Sequence, residues 1–274
     1  MIENKNKNIL ITGGSSGIGK ALAVEYISGG SKVILCARDL HKLNAAKDEI
    51  VQITKCDSSF IDVLSVDITD FDQTNQIIGE FLINHSVPDI LINCAGVAHP
   101  GEFLDLDLDI FHWLMNTNYY GTVHMIKSVL PAMINNGAGH IVNISSAAGF
   151  LGVYGYTAYG ATKYAVRGFS DALRAELKLK NINMSLVFPP DTDTPQLAYE
   201  EKYKPPITKA LAGNAGVLSA ESVAKIIVKN VAKGKYIIVP GSENAFLYHL
   251  SNILGKHVYK LMDFMIRDAA KKAN

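Results

Sequence analysis

Seven short apolar runs alternate with segments of helix length from one end of this 274-residue chain to the other. The runs are NILIT (8–12), KVILCA (32–37), FIDVLSV (60–66), DILIN (89–93), GHIVNIS (139–145), INMSLVF (182–188) and YIIVP (236–240). Segments near 17–29, 40–54, 71–84, 107–135, 157–179, 219–233 and 243–272 read as helices. Strands this apolar are buried on both faces, and helices between them supply the crossovers that parallel pairing needs. The pattern predicts an α/β fold, a doubly wound parallel sheet of about seven strands flanked by helices, in a single domain. Residues 1–242 form its body and 243–274 a C-terminal amphipathic helical extension. The one long irregular stretch, 189–218, has five of the nine prolines. Its portion at about 191–216 is expected to be a substrate lid, because long loops inside a compact domain tend to be functional.

Several classes of function are disfavoured. Basic and acidic residues balance at 26 each, so no basic stripe points to a nucleic-acid partner. Cys36, Cys56 and Cys94 are odd in number and lack C-x-x-C spacing, against a disulfide framework or zinc site and for a reducing compartment. The polar start MIENKNKN leads into a short apolar run cut off by a glycine turn, unlike a signal peptide or anchor. No window reaches about 18 uninterrupted apolar residues. A cytoplasmic protein is expected, at most peripheral on a membrane, with no metal.

TGGSSGIG (Thr12 to Gly19) follows the first run and opens the first helix. Gly13, Gly17 and Gly19 let the backbone turn tightly and approach a ligand, and the helix N-terminus offers N–H groups to a pyrophosphate. Tight strand-to-helix turns use glycine for packing too, so the strand–turn–helix setting carries the dinucleotide reading. An acidic residue ending the second strand would select the ribose 2′-hydroxyl of NAD, an arginine the 2′-phosphate of NADP. Here Arg38 stands at the tip, Lys42 one helical turn on, and Asp39 is the rival with a second use as a helix N-cap. Arg38, Lys42 and the Ser15 hydroxyl would make a phosphate pocket, which favours NADPH/NADP. Asp67 can take the adenine amino group. Asn93, Ala95 and Gly96 in NCAG close the next strand beside the cofactor, unless Asn93 merely caps that turn.

YGATK places Tyr159 and Lys163 four residues apart, on one helix face. A tyrosine can give its proton to a ketone oxygen, and a nearby ammonium brings its pKa down from about 10. Ser146 closes the fifth strand in NISS at the carboxyl edge of the sheet, where its hydroxyl can hold a carbonyl oxygen. Ser145 should point to the opposite face. Asn118, in NYYGT within the 107–135 helix, could order a water reaching Lys163, or could simply be a packing or kink residue.

With TGGSSGIG, NCAG, NYYGT, NISS and YGATK in this order and spacing, residues 6–240 strongly resemble the short-chain dehydrogenase/reductase family. The resemblance implies a Rossmann-like fold, a catalytic tetrad of Asn118, Ser146, Tyr159 and Lys163, and hydride transfer between a nicotinamide and a carbonyl or carbinol carbon. It also implies that Ser16, Ile18 and Ile68 line the cofactor beside the residues above, with Tyr159 and Lys163 touching it. After the sixth strand the family carries Pro-Gly and, a few residues on, a threonine. Here FPPDTDTPQ (188–196) has Pro190 in place of the glycine and Thr194 at the threonine, and the Thr192 backbone and Thr194 hydroxyl would hold the carboxamide. PPDTDTP, AYGATKYAVRGFSDALRAEL and ESVAKIIVKN are similar to the family's 3-keto sphingoid base reductases. That likeness implies a long-chain ketone lipid as substrate; a homo-oligomer, dimer or tetramer, is also expected. The competing readings are a reductase of another bulky ketone (3-oxoacyl thioester, steroid or retinoid-type carbonyl) and a non-catalytic NADP-binding regulator. An intact Ser, Tyr and Lys set argues against the regulator, which needs no proton donor.

Residues 243–272 carry Phe246, Leu247, Leu250, Ile253, Leu254, Val258, Leu261, Met262 and Met265 at three- and four-residue steps, one apolar stripe edged by lysines. Such a helix either packs on its own domain or a partner subunit, or lies peripherally in a membrane surface.

Overall fold

Strand β1 (Asn8–Thr12) shows how the sheet is made: Ile9 and Ile11 face one layer, Leu10 the other, and all three are fully buried. The same alternation runs through β2 (Lys32–Ala37), β3 (Ile61–Ser65), β4 (Ile90–Asn93), β5 (Gly139–Ile144) and β6 (Ile182–Val187). Two short strands, β7 (Thr192–Asp193) and β8 (Leu218–Ser219), pair with each other outside the main sheet, and β9 (Ile237–Ile238) completes it. The order is β3-β2-β1-β4-β5-β6-β9, parallel throughout. This computed structural model describes residues 6–212 and 216–273. The expected N-terminal segment 1–5 and the lid tip 213–215 lie outside the described residues.

One face of the sheet carries α1 (Gly17–Ser28) and α2 (Leu40–Thr54); the other carries α3 (Phe71–Asn84). The expected helix over 107–135 is three pieces: α4 (Leu108–Met115), a π-turn at Asn116–Tyr120, and α5 (Gly121–Asn135). The axis continues, but the wider turn re-aims the side chain of Asn118. Helix α6 (Thr157–Leu177) follows α5 onto the second face. The stretch expected to be irregular contains α7 (Pro195–Glu200) and α8 (Pro206–Ala212). Their prolines sit at helix starts, where a missing N–H costs nothing. Helix α9 (Ala220–Val231) returns to the first face against α1.

The C-terminal stripe is interrupted. Gly255, at φ +50°, and a 3₁₀ turn over Gly255–His257 separate α10 (Ser242–Leu254) from α11 (Val258–Ala273). Leu247, Tyr248, Leu254, Val258 and Met262 pack with Phe150 and Phe188. Phe246, Ile253, Tyr259, Phe264 and Met265 are exposed.

His140 on β5 is buried, and its Nε2 lies 2.8 Å from Ser185 Oγ on β6. Burial, with a smaller push from Lys7, lowers its pKa to about 4. The unfolded chain binds the proton near pH 6.5 and the folded one only near 4, so stability present above 6.5 is lost as pH falls toward 4. Between pH 7.5 and 5 this group alone should remove about 2 kcal/mol. Urea unfolding of His140→Gln should show that much less loss over the same interval than wild type.

Candidate active site

The carboxyl ends of β1 and β4 lie side by side where the strand order reverses, and the chain leaves them in opposite directions. A crevice must open there. It is a cleft of about 410 Å³, floored by the glycine turn after β1 and the NCAG turn after β4, and roofed by residues 189–200.

At one end lies the turn Gly13–Gly19. Gly13 has φ +69°, and a Cβ there would sit 2.9 Å from Ala95 Cα; one on Gly19 would sit 2.3 Å from the Gly13 carbonyl oxygen. Neither position admits another residue without moving backbone. The Thr12 hydroxyl accepts from the backbone N–H of both Cys94 and Ala95, 3.1 Å each, fastening the two turns together. Ser16 begins α1 in extended conformation with no side-chain cap, so the first turn of the helix faces the cleft uncapped. Ser15, Ser16, Gly17, Ile18, Arg38, Asp67 and Ile68 all line this end. Asp67 Oδ1 accepts from the backbone and hydroxyl of Thr69.

Lys42 does not join them. Its backbone N–H is capped by Asp39 Oδ1 at 3.0 Å, its ammonium lies 3.9 Å from Asp39 Oδ2, and its side chain is exposed. Asp39 is thus the N-cap of α2, and Arg38 is the cation that lines this end of the cleft.

At the other end, Tyr159 and Lys163 project from α6 toward Ser146. The Lys163 ammonium is buried, donates to the Ile144 carbonyl at 3.1 Å, and lies 5.5 Å from the centre of the Tyr159 ring. Burial brings Lys163 down to about 8. Tyr159 moves opposite to the expectation from a neighbouring ammonium: burial, then the charge of Glu200, hold its hydroxyl above the ordinary phenol range, against hydrogen bonding with Ser146 and Gln196. It is a phenol across the physiological range, able to donate. The Ser146 hydroxyl accepts from the Ala148 N–H at 3.2 Å. Ser145 turns away, its hydroxyl donating to the Lys163 carbonyl at 3.0 Å.

Two residues expected beside these sit behind the cleft wall. Asn118, at the π-turn, donates through Nδ2 to the Val97 carbonyl and Thr162 Oγ1, both 2.9 Å, and accepts from the Val97 N–H at 2.8 Å. Its side chain braces the NCAG turn against α6, and a Cβ on Gly96 would lie 3.2 Å from its Oδ1 and 3.5 Å from Lys163 Nζ. Asn93 is buried in the sheet, donating to Asn143 Oδ1 at 2.9 Å, while Asn143 donates to Ser170 Oγ at 2.9 Å. Cys94, Ala95, Gly96 and Val97 line the cleft in its place.

The roof brings Thr192 and Thr194 to the cleft, together with groups not expected from the sequence. Thr194 caps α7, its hydroxyl accepting from Leu197 N–H at 3.2 Å and donating to the Thr192 carbonyl at 3.1 Å. From α7, Gln196 and Glu200 reach into the cleft, and Tyr156 faces them. Glu200 Oε2 accepts from the Tyr156 hydroxyl at 2.5 Å and Oε1 from Gln196 Nε2 at 2.9 Å. Positions 196 and 200 share the four-residue step of a helix face, a signal that the surrounding prolines masked. Among the described residues, no cluster of His, Cys, Asp or Glu could hold a metal ion.

Residues 7–204 match the family model described as short chain dehydrogenase. The chain is 39% identical over 245 residues to a 3-dehydrosphinganine reductase of Danio rerio and 38% to a 3-ketodihydrosphingosine reductase of Bos taurus. Each match covers 89% of this chain and 74% of the relative. Among solved structures it resembles ElxO with NADP bound (TM-score 0.74, 28% identity, 86% of this chain and 97% of that one). It also resembles a short-chain dehydrogenase from Sphingobium yanoikuyae in complex with NADPH (TM-score 0.76, 25% identity, 94% and 95%).

Proposed function

The chain belongs to the short-chain dehydrogenase family, and we propose that it reduces 3-ketodihydrosphingosine to dihydrosphingosine with NADPH. The observation that carries the reductase chemistry is the placement of Tyr159, Lys163 and Ser146 at one end of a cleft whose other end is the glycine turn. The names of the relatives, in fish and cattle and also in Dictyostelium discoideum at 39% identity, support the substrate.

A dinucleotide phosphate fits the residues present. The turn leaves no room for a Cβ at Gly13 or Gly19, the first turn of α1 is uncapped, and Arg38 with Ser15 stands where a 2′-phosphate would need a cation and a donor. When bound, the nicotinamide supplies the hydride. Thr192 and Thr194, in the roof of the cleft, would hold its carboxamide end. Ser146 holds the ketone oxygen and Tyr159 donates the proton to it. Lys163, its ammonium 5.5 Å from the centre of the Tyr159 ring, would stabilise the oxyanion that donation leaves on Tyr159 and would hold the ribose of a bound cofactor. Asn118 ties Val97, next to Gly96, to Thr162, next to Lys163, through the wall.

No helix among the described residues is long and apolar enough to cross a membrane. The exposed set Phe246, Ile253, Tyr259, Phe264 and Met265 on α10 and α11 gives a lipid surface a place to meet the protein. A subunit contact in a dimer or tetramer is the other use for that face.

Tyr159→Phe should lower kcat for 3-ketodihydrosphingosine by about 10²–10⁴-fold with NADPH binding retained. Retention of more than about a tenth of the activity would overturn its role as acid, since that is below what general acid catalysis contributes. In fluorescence titrations Arg38→Ala should weaken NADPH by roughly 10- to 100-fold and NADH little, because only NADPH has the 2′-phosphate. Equal losses would sink the assignment. Phe264→Ser should cut binding to anionic phospholipid vesicles by about tenfold. Intact protein that ignores vesicles but changes mass in light scattering on this substitution would select the subunit contact.

A further inference from the structure

Glu200 is a carboxylate only 6% exposed, on the roof of the cleft. Its two oxygens are met by neutral donors, Tyr156 Oη and Gln196 Nε2. No cation pairs with it among the described residues. The nearest candidate, Lys204, is 5% exposed and directs its ammonium to Glu201 at 2.5 Å and Asp191 at 3.4 Å. Asp191 also lines the cleft. Three carboxylates therefore share the charge of one lysine, and the buried one has no ion pair with it. Burial raises the Glu200 carboxyl above the usual carboxylate range; the two hydrogen bonds oppose it, Asp191 adds to it, and Lys204, at a distance, offsets it last and least.

A buried anion held only by neutral donors is unfavourable for folding, and such groups concentrate at functional sites. This one is close to the chemistry. Gln196 bonds to Glu200 and also interacts with the Tyr159 hydroxyl, the Tyr156 and Tyr159 rings are 5.7 Å apart, and the charge of Glu200 acts on Tyr159. A ketone oxygen held at Tyr159 brings the neighbouring substrate carbons to the end of the cleft that Gln196 and Glu200 line.

We propose that Glu200 is a specificity residue that receives the ammonium group carried on the carbon next to the ketone of the substrate. This rests on the sphingoid reading above, whose substrate has a 2-amino group adjoining its 3-ketone. The ammonium supplies the missing counter-charge, and Tyr156 and Gln196 keep the carboxylate aimed while the site waits for it. Ketones without that cation, the 3-oxoacyl thioesters and steroids among them, leave the anion buried and unpaired, so the same residue selects against them. Asp191, turned toward Lys204, adds to the negative field but does not contact the ammonium.

The test compares 3-ketodihydrosphingosine with the same chain bearing hydrogen in place of the amino group, using wild type and Glu200→Gln. The amide keeps the shape and can still bond Tyr156 and Gln196. The wild-type kcat/KM ratio should favour the amino ketone, and Glu200→Gln should reduce that ratio by about 10- to 100-fold, the range for a charge-assisted hydrogen bond, chiefly through KM. A second measurement needs no variant: dihydrosphingosine should compete with substrate on wild type far better than its N-acetyl derivative. An unchanged ratio, or equal inhibition by the amine and its N-acetyl amide, overturns the ammonium site while leaving the sphingoid substrate standing. Wild type that reduces the des-amino ketone and ignores the amino one overturns the sphingoid reading and, with it, this assignment.

Discussion

One hydroxyl ties the site together. At the point where the strand order reverses, β1 and β4 are neighbours whose chains depart to opposite sides. Thr12 spans that divergence by accepting from two backbone N–H groups of the NCAG turn. The turn is held from behind by the Asn118 amide, which satisfies both polar groups of Val97 and also reaches Thr162 on α6. Buried backbone groups left unpaired would cost about 1–3 kcal/mol each, so these contacts define a single arrangement of the cleft floor. Lower down, the Asn93–Asn143–Ser170 chain repeats the device across β4, β5 and α6.

The π-turn belongs to the same constraint. An ordinary helix through Asn116–Tyr120 would rotate Asn118 away from Val97, whereas the extra residue in the turn re-aims it. Gly121 follows because Ile68 packs against it; a Cβ there would lie 2.6 Å from Ile68 Cδ1. Ile68 lines the cleft, so a packing detail in the helix is also a wall of the site.

Electrostatics in the cleft is governed by dehydration more than by pairing. Burial lowers Lys163 and raises Tyr159 and Glu200, each toward its neutral form. The ammonium and the phenol are not in contact; the carbonyl of Ile144 accepts a hydrogen bond from Lys163 instead. Tyr159 is accordingly kept as an acid, which suits a ketone reduction. Its negative neighbour on α7 strengthens that effect, and the roof thus sets both the shape and the potential of the reacting end.

The local parts of this protein were legible without coordinates. Strand β1 at 8–12 and β2 at 32–37 follow from runs of β-branched and apolar residues, the glycine turn from its place between strand and helix, and the common face of Tyr159 and Lys163 from their spacing. Those depend on neighbours a few residues away. Long-range partners decided the rest. Arg38 and Lys42 are near-equivalent cations in the sequence, and only the cap by Asp39 turns Lys42 outward. The apolar C-terminal stripe divides into a buried and an exposed set because Gly255 breaks the helix and Phe150 and Phe188 cover one part. Glu200 reads as one of two adjacent surface acids, Glu200 and Glu201, until Tyr156, forty-four residues earlier, brings it inside. Spacing along a chain determines which side chains share a face; what that face meets is set by segments folded in from elsewhere, and with it burial, charge and the chemistry of the site.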